Sequence, residues 1–350
     1  MITTSRAIAC GAAGLLVMLA AACSGSAPGT GPAAHSTSAG HSASAGHSAY
    51  TQLTTMDAYS AFTEFLSQFS DLSAHPAEIG RLTTGPEIQV VTASNGAPGP
   101  AVGDVTDTRI IVPELTSYPR WFVVGGTKSS TGQGVLFVLV QHSAGAPWQE
   151  TAELYDLSGK AQILPDLAAA GFGAVATAHT VPGRGASLAI QPAQLPAAYV
   201  KYLNDKAAGT QRGKFKAGSD TTGLIRLEHT AAAGAARAGW KYTDTQAAAG
   251  LPQYALRLPS GHGAAVIFFT IDTVTWTASS AHARMPTTTS AGLSLPPPQI
   301  LQSLGIKSVH GGLRVSVKAV DENLAFVGPH GTKDVTIAAN AGRAFKLSKS

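Results

Sequence analysis

The chain has 350 residues, of which 44% are hydrophobic and 13% are charged, with 24 Lys and Arg against 20 Asp and Glu. This length and composition suffice for a sizeable hydrophobic core and favour two domains over one or three. The formal net charge of +4 is small and scattered along the chain. It does not indicate nucleic-acid binding, and we expect no nucleic-acid partner.

Residues 1–22 predict a signal peptide. Arg6 supplies a short positive region, and the apolar stretch after it is too short for a comfortable membrane span. The run Leu19-Ala20-Ala21-Ala22-Cys23 resembles a lipobox, although Ala20 stands where that motif more often has Leu. We expect lipidation of Cys23 and anchoring to the outer face of the cytoplasmic membrane, in its outer leaflet. The alternative is ordinary cleavage near Ala22 followed by free secretion.

The chain has two cysteines, Cys10 and Cys23. Cys10 lies inside the predicted leader, so the mature chain would keep only Cys23. We therefore expect no disulfide within the body and no zinc site built on thiolates.

Residues 23–49 predict a flexible stalk after the leader. The segment is almost wholly Ser, Gly, Ala, Thr and Pro, and it carries His35, His41 and His47 at six-residue spacing. Such a segment cannot bury enough apolar surface to offset the entropy of ordering it, so we interpret it as a spacer. Metal capture by the three imidazoles is the alternative.

We expect a first α+β domain over residues 50–190. A Thr cap at Thr54, with Asp57 in the first turn, precedes apolar residues at helical spacing, and this predicts a helix over 55–70. We expect the polar stretch 125–134 to be a hairpin loop. Short β-branched or aromatic runs predict antiparallel strands at 109–112, 120–125 and 135–141.

A second α+β domain is expected over residues 191–350, after a Pro-rich joint. Residues 197–203 predict a short helix. Strands are predicted at 224–229, 240–243, 254–258, 265–276, 313–320, 325–327 and 335–339. The two halves show a weak internal repeat in the order of their elements, so each is expected to pack a helix on one face of an antiparallel sheet.

The best-marked catalytic and metal motifs are absent from the sequence. It has no Gly-x-Ser-x-Gly, Ser-x-x-Lys, His-Glu-x-x-His, EF-hand or P-loop pattern. Two acid pairs could cut glycosides: Glu150 with Glu153 near the end of a strand, and Asp321 with Glu322 in a turn. Neighbouring acids in polar loops are usually only solvated, so we assign no catalytic residue, metal site or cofactor.

Histidines and tryptophans give no firmer assignment. We interpret the four loop histidines as surface residues, namely His262, His282, His310 and His330. Core packing is the expected role of the four tryptophans, with a concave ligand pocket as the alternative, and these are Trp121, Trp148, Trp240 and Trp276.

Several blocks resemble actinobacterial lipoproteins that share a domain of unknown function. In the first half these blocks are Val112-Pro113-Glu114-Leu115, Tyr118-Pro119-Arg120-Trp121-Phe122, Leu136-Phe137 and Ala146-Pro147-Trp148. In the second half they are Phe215 to Ser219, Ala255 to Arg257, Val266 to Phe269 and Asn323 to Pro329. The similarity runs from about Tyr50 to Phe345, and Tyr-Pro-Arg-Trp-Phe is its most specific part. It implies an envelope lipoprotein with nuclear-transport-factor-like or cystatin-like helix-on-sheet cones, and it implies no catalytic residue or ligand.

Our leading hypothesis from the sequence is a noncatalytic surface lipoprotein that binds an envelope protein or a small ligand. The alternative is a cell-wall hydrolase without a recognised motif. A buried acid or histidine facing a cleft would favour the enzyme.

Overall fold

A computed structural model describes the body in segments. The described residues are 52–72, 74–93, 104–155, 188–205, 214–258, 263–279, 283–285, 295–329 and 335–350, together with 175–179 by backbone alone. The predicted leader, Cys23 and the predicted stalk with its three histidines all lie outside these residues.

Three helices precede the first sheet: α1 (Thr55–Phe69), α2 (Ile79–Leu82) and α3 (Pro86–Ala93). The predicted cap of α1 is confirmed, because the Asp57 amide donates to the Thr54 hydroxyl at 3.1 Å and the Thr54 amide donates back to the Asp57 carboxylate at 3.1 Å. The predicted apolar stripe of α1 is buried except for Tyr59, which is 52% exposed.

The first sheet has five strands. They are β1 (Val105–Glu114), β2 (Arg120–Lys128), β3 (Gln133–Gln141), β4 (Gln149–Tyr155) and β5 (Val175–His179). Their order across the sheet is β4-β3-β2-β1-β5, and β5 runs parallel to β1 while the other pairs are antiparallel.

Two sequence predictions for this sheet need correction. The expectation of a wholly antiparallel sheet is wrong at β5. The hairpin loop predicted over 125–134 shrinks to residues 129–132, because β2 and β3 remain paired from Gly125 to Lys128. On the other side of β2, Gly126 lets β1 approach closely, since a Cβ there would overlap the side chain of Val105 on β1.

The second half contains α4 (Leu195–Asn204), α5 (Leu224–Arg237) and the short α6 (Pro298–Ser303). The predicted helix at 197–203 is confirmed as part of α4. The strand predicted at 224–229 is wrong, because this segment is the first part of α5. Its apolar start continues into an Ala-rich run, and its buried residues recur at helical spacing as Ile225, Glu228, Ala231 and Ala235.

The second sheet also has five strands. They are β6 (Trp240–Ala248), β7 (Tyr254–Arg257), β8 (Ala264–Ala278), β9 (Arg314–Val327) and β10 (Val335–Lys349). The order is β10-β9-β8-β6, and β7 also pairs with β8. The strands predicted at 313–320 and 325–327 are parts of β9. The turn expected at Asp321 and Glu322 is wrong, because both residues continue the pairing of β9 with β8 and β10.

The two sheets pack face to face. Between them lie buried apolar residues of both sheets, including Val138, Leu154, Ile267 and Leu324. The helices cover the outer faces: α1 to α3 pack on the first sheet, and α4 to α6 pack on the second. The fold is therefore mixed α+β, as predicted, with its layers in the order helices, sheet, sheet, helices. No helix among the described residues is long and apolar enough to cross a membrane.

Candidate functional site

Three of the four acids singled out in the sequence lie close together between the sheets. Glu150 and Glu153 on β4 and Glu322 on β9 are all buried. The backbone amide of Glu153 donates a hydrogen bond to Glu322 Oε2 at 2.6 Å. Asp321 is not part of this contact, because successive residues of a strand point to opposite faces of the sheet.

Arg343 on β10 stands at the centre of these glutamates, and the sequence analysis did not single it out. Its guanidinium forms ion pairs with Glu87 of α3 and with Glu322, and its Nη1 lies 3.2 Å from Glu153 Oε2. Only 18% of the Arg343 side chain is exposed, and those of Glu87 and Glu322 are fully buried. We call Glu87, Glu150, Glu153, Glu322 and Arg343 the glutamate–arginine cluster.

The cluster covers the free edge of β4. This strand is at the edge of the first sheet, so the polar backbone groups on its outer side need partners from elsewhere. The carboxylate of Glu322 accepts from the Glu153 amide, and the Thr84 amide donates to the Glu150 carbonyl at 2.8 Å. The edge is thus closed by α2, α3 and the second sheet rather than by another strand.

Burial sets the protonation of these carboxyls. It raises the pKa of Glu150 well above its usual range, and the negative charge of Glu153 raises it further. Burial likewise raises the pKa of Glu322, against the effect of its hydrogen bond from the Glu153 amide. Burial lowers the pKa of Arg343 to about 9, which leaves the guanidinium cationic at neutral pH. Both oxygens of Glu150 lack a hydrogen-bond partner among the described residues.

A second polar group lies on the helix-covered face of the second sheet. Asp244 and Gln246 of β6 face Asp272 of β8, and the register continues across β9 and β10. We call this row the polar band: it comprises Asp244, Gln246, Thr270, Asp272, Asp321, Asn323 and Asn340. It separates the apolar cluster under α4 from the apolar cluster under α5 and α6.

Hydrogen bonds connect one end of the polar band. Asn340 Nδ2 donates to Asn323 Oδ1 at 2.8 Å, and Asn323 Nδ2 lies 3.3 Å from Thr270 Oγ1. Asp321 packs over Gly342, where a Cβ would lie only 2.7 Å from Asp321 Oδ1. This half of the band is therefore filled by its own side chains.

The other end of the polar band has acceptors without donors. Asp244 Oδ1, Gln246 Oε1 and Asp272 Oδ1 are buried and have no donor group among the described residues, apart from the proton that the carboxyls of Asp244 and Asp272 share in a side-chain hydrogen bond. Tyr242 holds the other oxygen of Asp244, with its hydroxyl 3.1 Å from Oδ2. A buried acceptor left without a donor costs about 1–3 kcal/mol, so an added donor at this end of the band would stabilise the protein.

Residues of the Tyr-Pro-Arg-Trp-Phe block point in three directions. The guanidinium of Arg120 lies 5.4 Å from the ring centres of both Tyr118 and Trp148, and its Nε donates to Gln141 at 2.6 Å. Trp121 enters the interface between the sheets, where its ring centre lies 5.2 Å from that of Tyr254. Phe122 points to the opposite side, under α1. The block therefore connects the Tyr118–Arg120–Trp148 contact to the apolar core between the sheets and to the apolar core under α1.

The remaining candidates divide between described and undescribed residues. Trp121, Trp240 and Trp276 are buried, which confirms their expected core role, and Trp148 is half-buried beside Arg120. His310 is exposed as expected, whereas His262, His282 and His330 lie outside the described residues. Within the described part of the chain, no three His, Cys, Asp or Glu side chains are placed to hold a metal ion.

These observations define a mixed α+β protein with two packed sheets, a buried ion cluster between them and an incompletely satisfied polar band on the second sheet. The model of the family described as Domain of unknown function (DUF8094) matches residues 89–333, and the chain belongs to this family. No curated protein and no solved structure matches the chain.

Arg343→Ala tests the glutamate–arginine cluster. Removing the guanidinium leaves Glu87, Glu153 and Glu322 buried without their cation, so we expect a loss of about 3–5 kcal/mol in the free energy of unfolding at pH 7. Urea unfolding followed by tryptophan fluorescence measures it. Arg314→Ala, at an exposed position of β9, is the matched control. A loss for Arg343→Ala no larger than that of the control would contradict the prediction.

Glu150→Gln tests the pH dependence of stability. Because the folded state raises the pKa of Glu150 above its unfolded value of about 4.3, its protonation stabilises the fold at low pH, and this contribution is lost as the pH rises through the folded-state pKa. We expect the variant to be about 1 kcal/mol more stable than the parent at pH 7.5 and to gain less on acidification to pH 5. Glu64→Gln, on the exposed face of α1, should leave the profile unchanged; parallel profiles for all three proteins would refute the assignment.

Proposed function

We propose that this chain is an exported, lipid-anchored binding module of the cell envelope without catalytic activity. The leader at 1–22 and the lipobox before Cys23 support export and anchoring to the outer leaflet of the cytoplasmic membrane. The family membership and the blocks that resemble actinobacterial lipoproteins are compatible with this location.

A binding role is supported chiefly by the three buried acceptor oxygens of the polar band that lack donors. Natural proteins satisfy most buried polar atoms, and a bound molecule or ion that supplies the partner is one of the explanations for an exception. Asp244 and Gln246 are each 7% exposed, so bulk water does not hydrate them freely. This favours a small ligand over an envelope protein as the occupant of the band.

The fold proposal refines the observed α+β architecture. We propose that residues 50–190 and 191–350 are two related domains, each a helix-on-sheet cone similar to nuclear-transport-factor-like or cystatin-like proteins. Their packing would then place two sheets face to face, and the helix-covered face of each sheet would be where a ligand enters. The second sheet carries its polar band on that face.

The competing proposal is a cell-wall hydrolase. It is favoured by the raised pKa of Glu150, since a general acid needs a carboxyl that keeps its proton at neutral pH. Against it, Glu150 and Glu322 are 0% exposed and Glu153 is 6% exposed, and Glu153 and Glu322 contact other buried groups. A polymeric substrate could reach them only if α3 or β10 moved away.

The Cys23→Ala variant tests the anchor in the native host. We expect the wild-type protein to partition into the membrane fraction and to carry acyl chains on Cys23, because thioether-linked lipid supplies the membrane affinity. The variant should lose the acyl mass and leave that fraction. Cys10→Ala, which changes the predicted leader only, is the control and should keep both properties. Retention of Cys23→Ala in the membrane with unchanged mass would show that the anchor is wrong.

The binding role is tested by native mass spectrometry of the full-length protein extracted from its host membrane, combined with cross-linking in that membrane. We expect a small-molecule adduct at one copy per chain. Reproducible cross-links from one face to a single envelope protein, without an adduct, would keep the binding module but replace the ligand by a protein. Random neighbours and no adduct would overturn the proposal.

A further inference from the structure

The donor-poor end of the polar band lies in an enclosed position with one side near the surface. Gln246 is directly opposite Asp272 in the pairing of β6 with β8, and Asp244 is two residues before Gln246 on the same face. Asn204 is an exposed residue at the end of α4. Its side-chain Nδ2 donates to the backbone carbonyl of Gln246 at 2.7 Å, and its Oδ1 accepts from the backbone amide of Gln246 at 3.0 Å. The backbone of Gln246 is therefore fixed, while its side-chain oxygen remains unpartnered.

All three unpartnered atoms at this place are acceptors. Directly opposite residues on one face of an antiparallel pair have Cβ atoms about 4.5–5.5 Å apart, so one compact group can reach both Gln246 and Asp272. Such a group must donate several hydrogen bonds. An anion or a ligand with acceptors alone would add repulsion instead of relieving it.

The negative charge around the three acceptors favours a positively charged ligand over a neutral one. Burial raises the pKa of Asp272 well above its usual range, and the negative charges of Asp244, Asp321 and Glu228 of α5 raise it further. A side-chain hydrogen bond to Asp244 also raises this pKa, so the two carboxyls share a proton that the ammonium of a ligand would replace. Burial also raises the pKa of Tyr242, as does the charge of Asp244. The carboxyls of β6, β9 and α5 thus all act electrostatically on Asp272, and a positive charge beside it would be favoured.

The geometry distinguishes between kinds of cation. In the described residues, no three acidic or histidine side chains are arranged for metal coordination, and one of the three acceptors is an amide. A primary ammonium instead donates three hydrogen bonds at ordinary distances and tolerates a mixed set of carboxylate and amide oxygens. The rings of Tyr242 and Trp276, with centres 5.9 Å apart, border the band and offer an apolar wall for attached carbons.

We propose that Asp244, Gln246 and Asp272 form a binding site for the primary ammonium group of a small organic cation. This inference rests on the proposed binding function and deepens it by naming the chemistry of the ligand. The ammonium would donate to Asp244 Oδ1, Gln246 Oε1 and Asp272 Oδ1. The hydroxyl of Tyr242 would keep Asp244 oriented toward it.

Isothermal titration of the full-length protein with putrescine tests the site. We expect saturable binding with one site per chain and a rise in Tm with putrescine concentration, because a ligand that binds only the folded state stabilises it. Tetramethylammonium carries the charge without N–H donors and should bind at least tenfold more weakly. Calcium and a neutral polyol such as glycerol should not compete.

Two variants connect binding to the named atoms. Asp272→Asn and Gln246→Leu should each weaken putrescine at least tenfold, while Asp71→Asn, an exposed change after α1, should leave the affinity unaltered. Without ligand, both site variants should melt no lower than the parent, because Gln246→Leu removes an acceptor that has no donor and Asp272→Asn replaces a carboxylate oxygen by an NH2 donor beside the acceptor of Asp244. A fall in Tm for both, with putrescine binding unchanged, would show that these residues are structural.

The outcomes separate this inference from the proposed function. Binding of tetramethylammonium, calcium or glycerol as strongly as putrescine would overturn the ammonium assignment. So would a native adduct of neutral or anionic chemistry, although that adduct would support the binding module. Absence of any adduct and of any reproducible cross-linked partner, together with failure of putrescine to bind, would overturn both.

Discussion

Burial of one guanidinium among glutamates is the constraint on which the arrangement of the two sheets depends. Arg343 belongs to β10, and its partners Glu87, Glu153 and Glu322 belong to α3, β4 and β9, so the ion pairs connect β10 to each of these three elements. Taking these charges out of water is expensive, and the arrangement is stable only while every member remains in place. Apolar burial between the sheets is non-directional and does not by itself fix how the sheets are aligned. The directional ion pairs and hydrogen bonds of the cluster fix where the edge of β4 meets β9 and β10.

The two polar groups of the structure illustrate opposite solutions to one problem. In the glutamate–arginine cluster, Arg343 of the second half pairs with Glu87 and Glu153 of the first half and with Glu322 of its own half. Burial raises the pKa of Glu150, which favours its protonated, neutral form. In the polar band, acids accumulate on a single face, and the described residues leave Asp244, Gln246 and Asp272 with free acceptor atoms. The first solution stabilises the fold. The second leaves part of the possible hydrogen bonding unused among the described residues.

Local patterns predicted much of the fold. Capping at Thr54 and the β-branched runs placed α1 and most strands, but the start of α5 was assigned to a strand because Leu224, Ile225 and Leu227 form a short apolar run. Contacts distant in sequence could not be predicted, and Arg343 among the glutamates is one of them. A signal for the polar band was present: along β8 the apolar residues at alternate positions are interrupted by Thr270 and Asp272, and along β9 by Asp321 and Asn323.

The separation between the partners of the ion cluster has a consequence for how the chain matures. Glu153 and Arg343 are 190 residues apart, so their contact closes a very long loop and forms only after almost the whole second sheet exists. A chain emerging from a ribosome or a translocation pore would carry the first sheet with the edge of β4 open and its glutamates still hydrated. The edge of β4 is therefore covered only once β10, the last strand of the chain, has paired with β9.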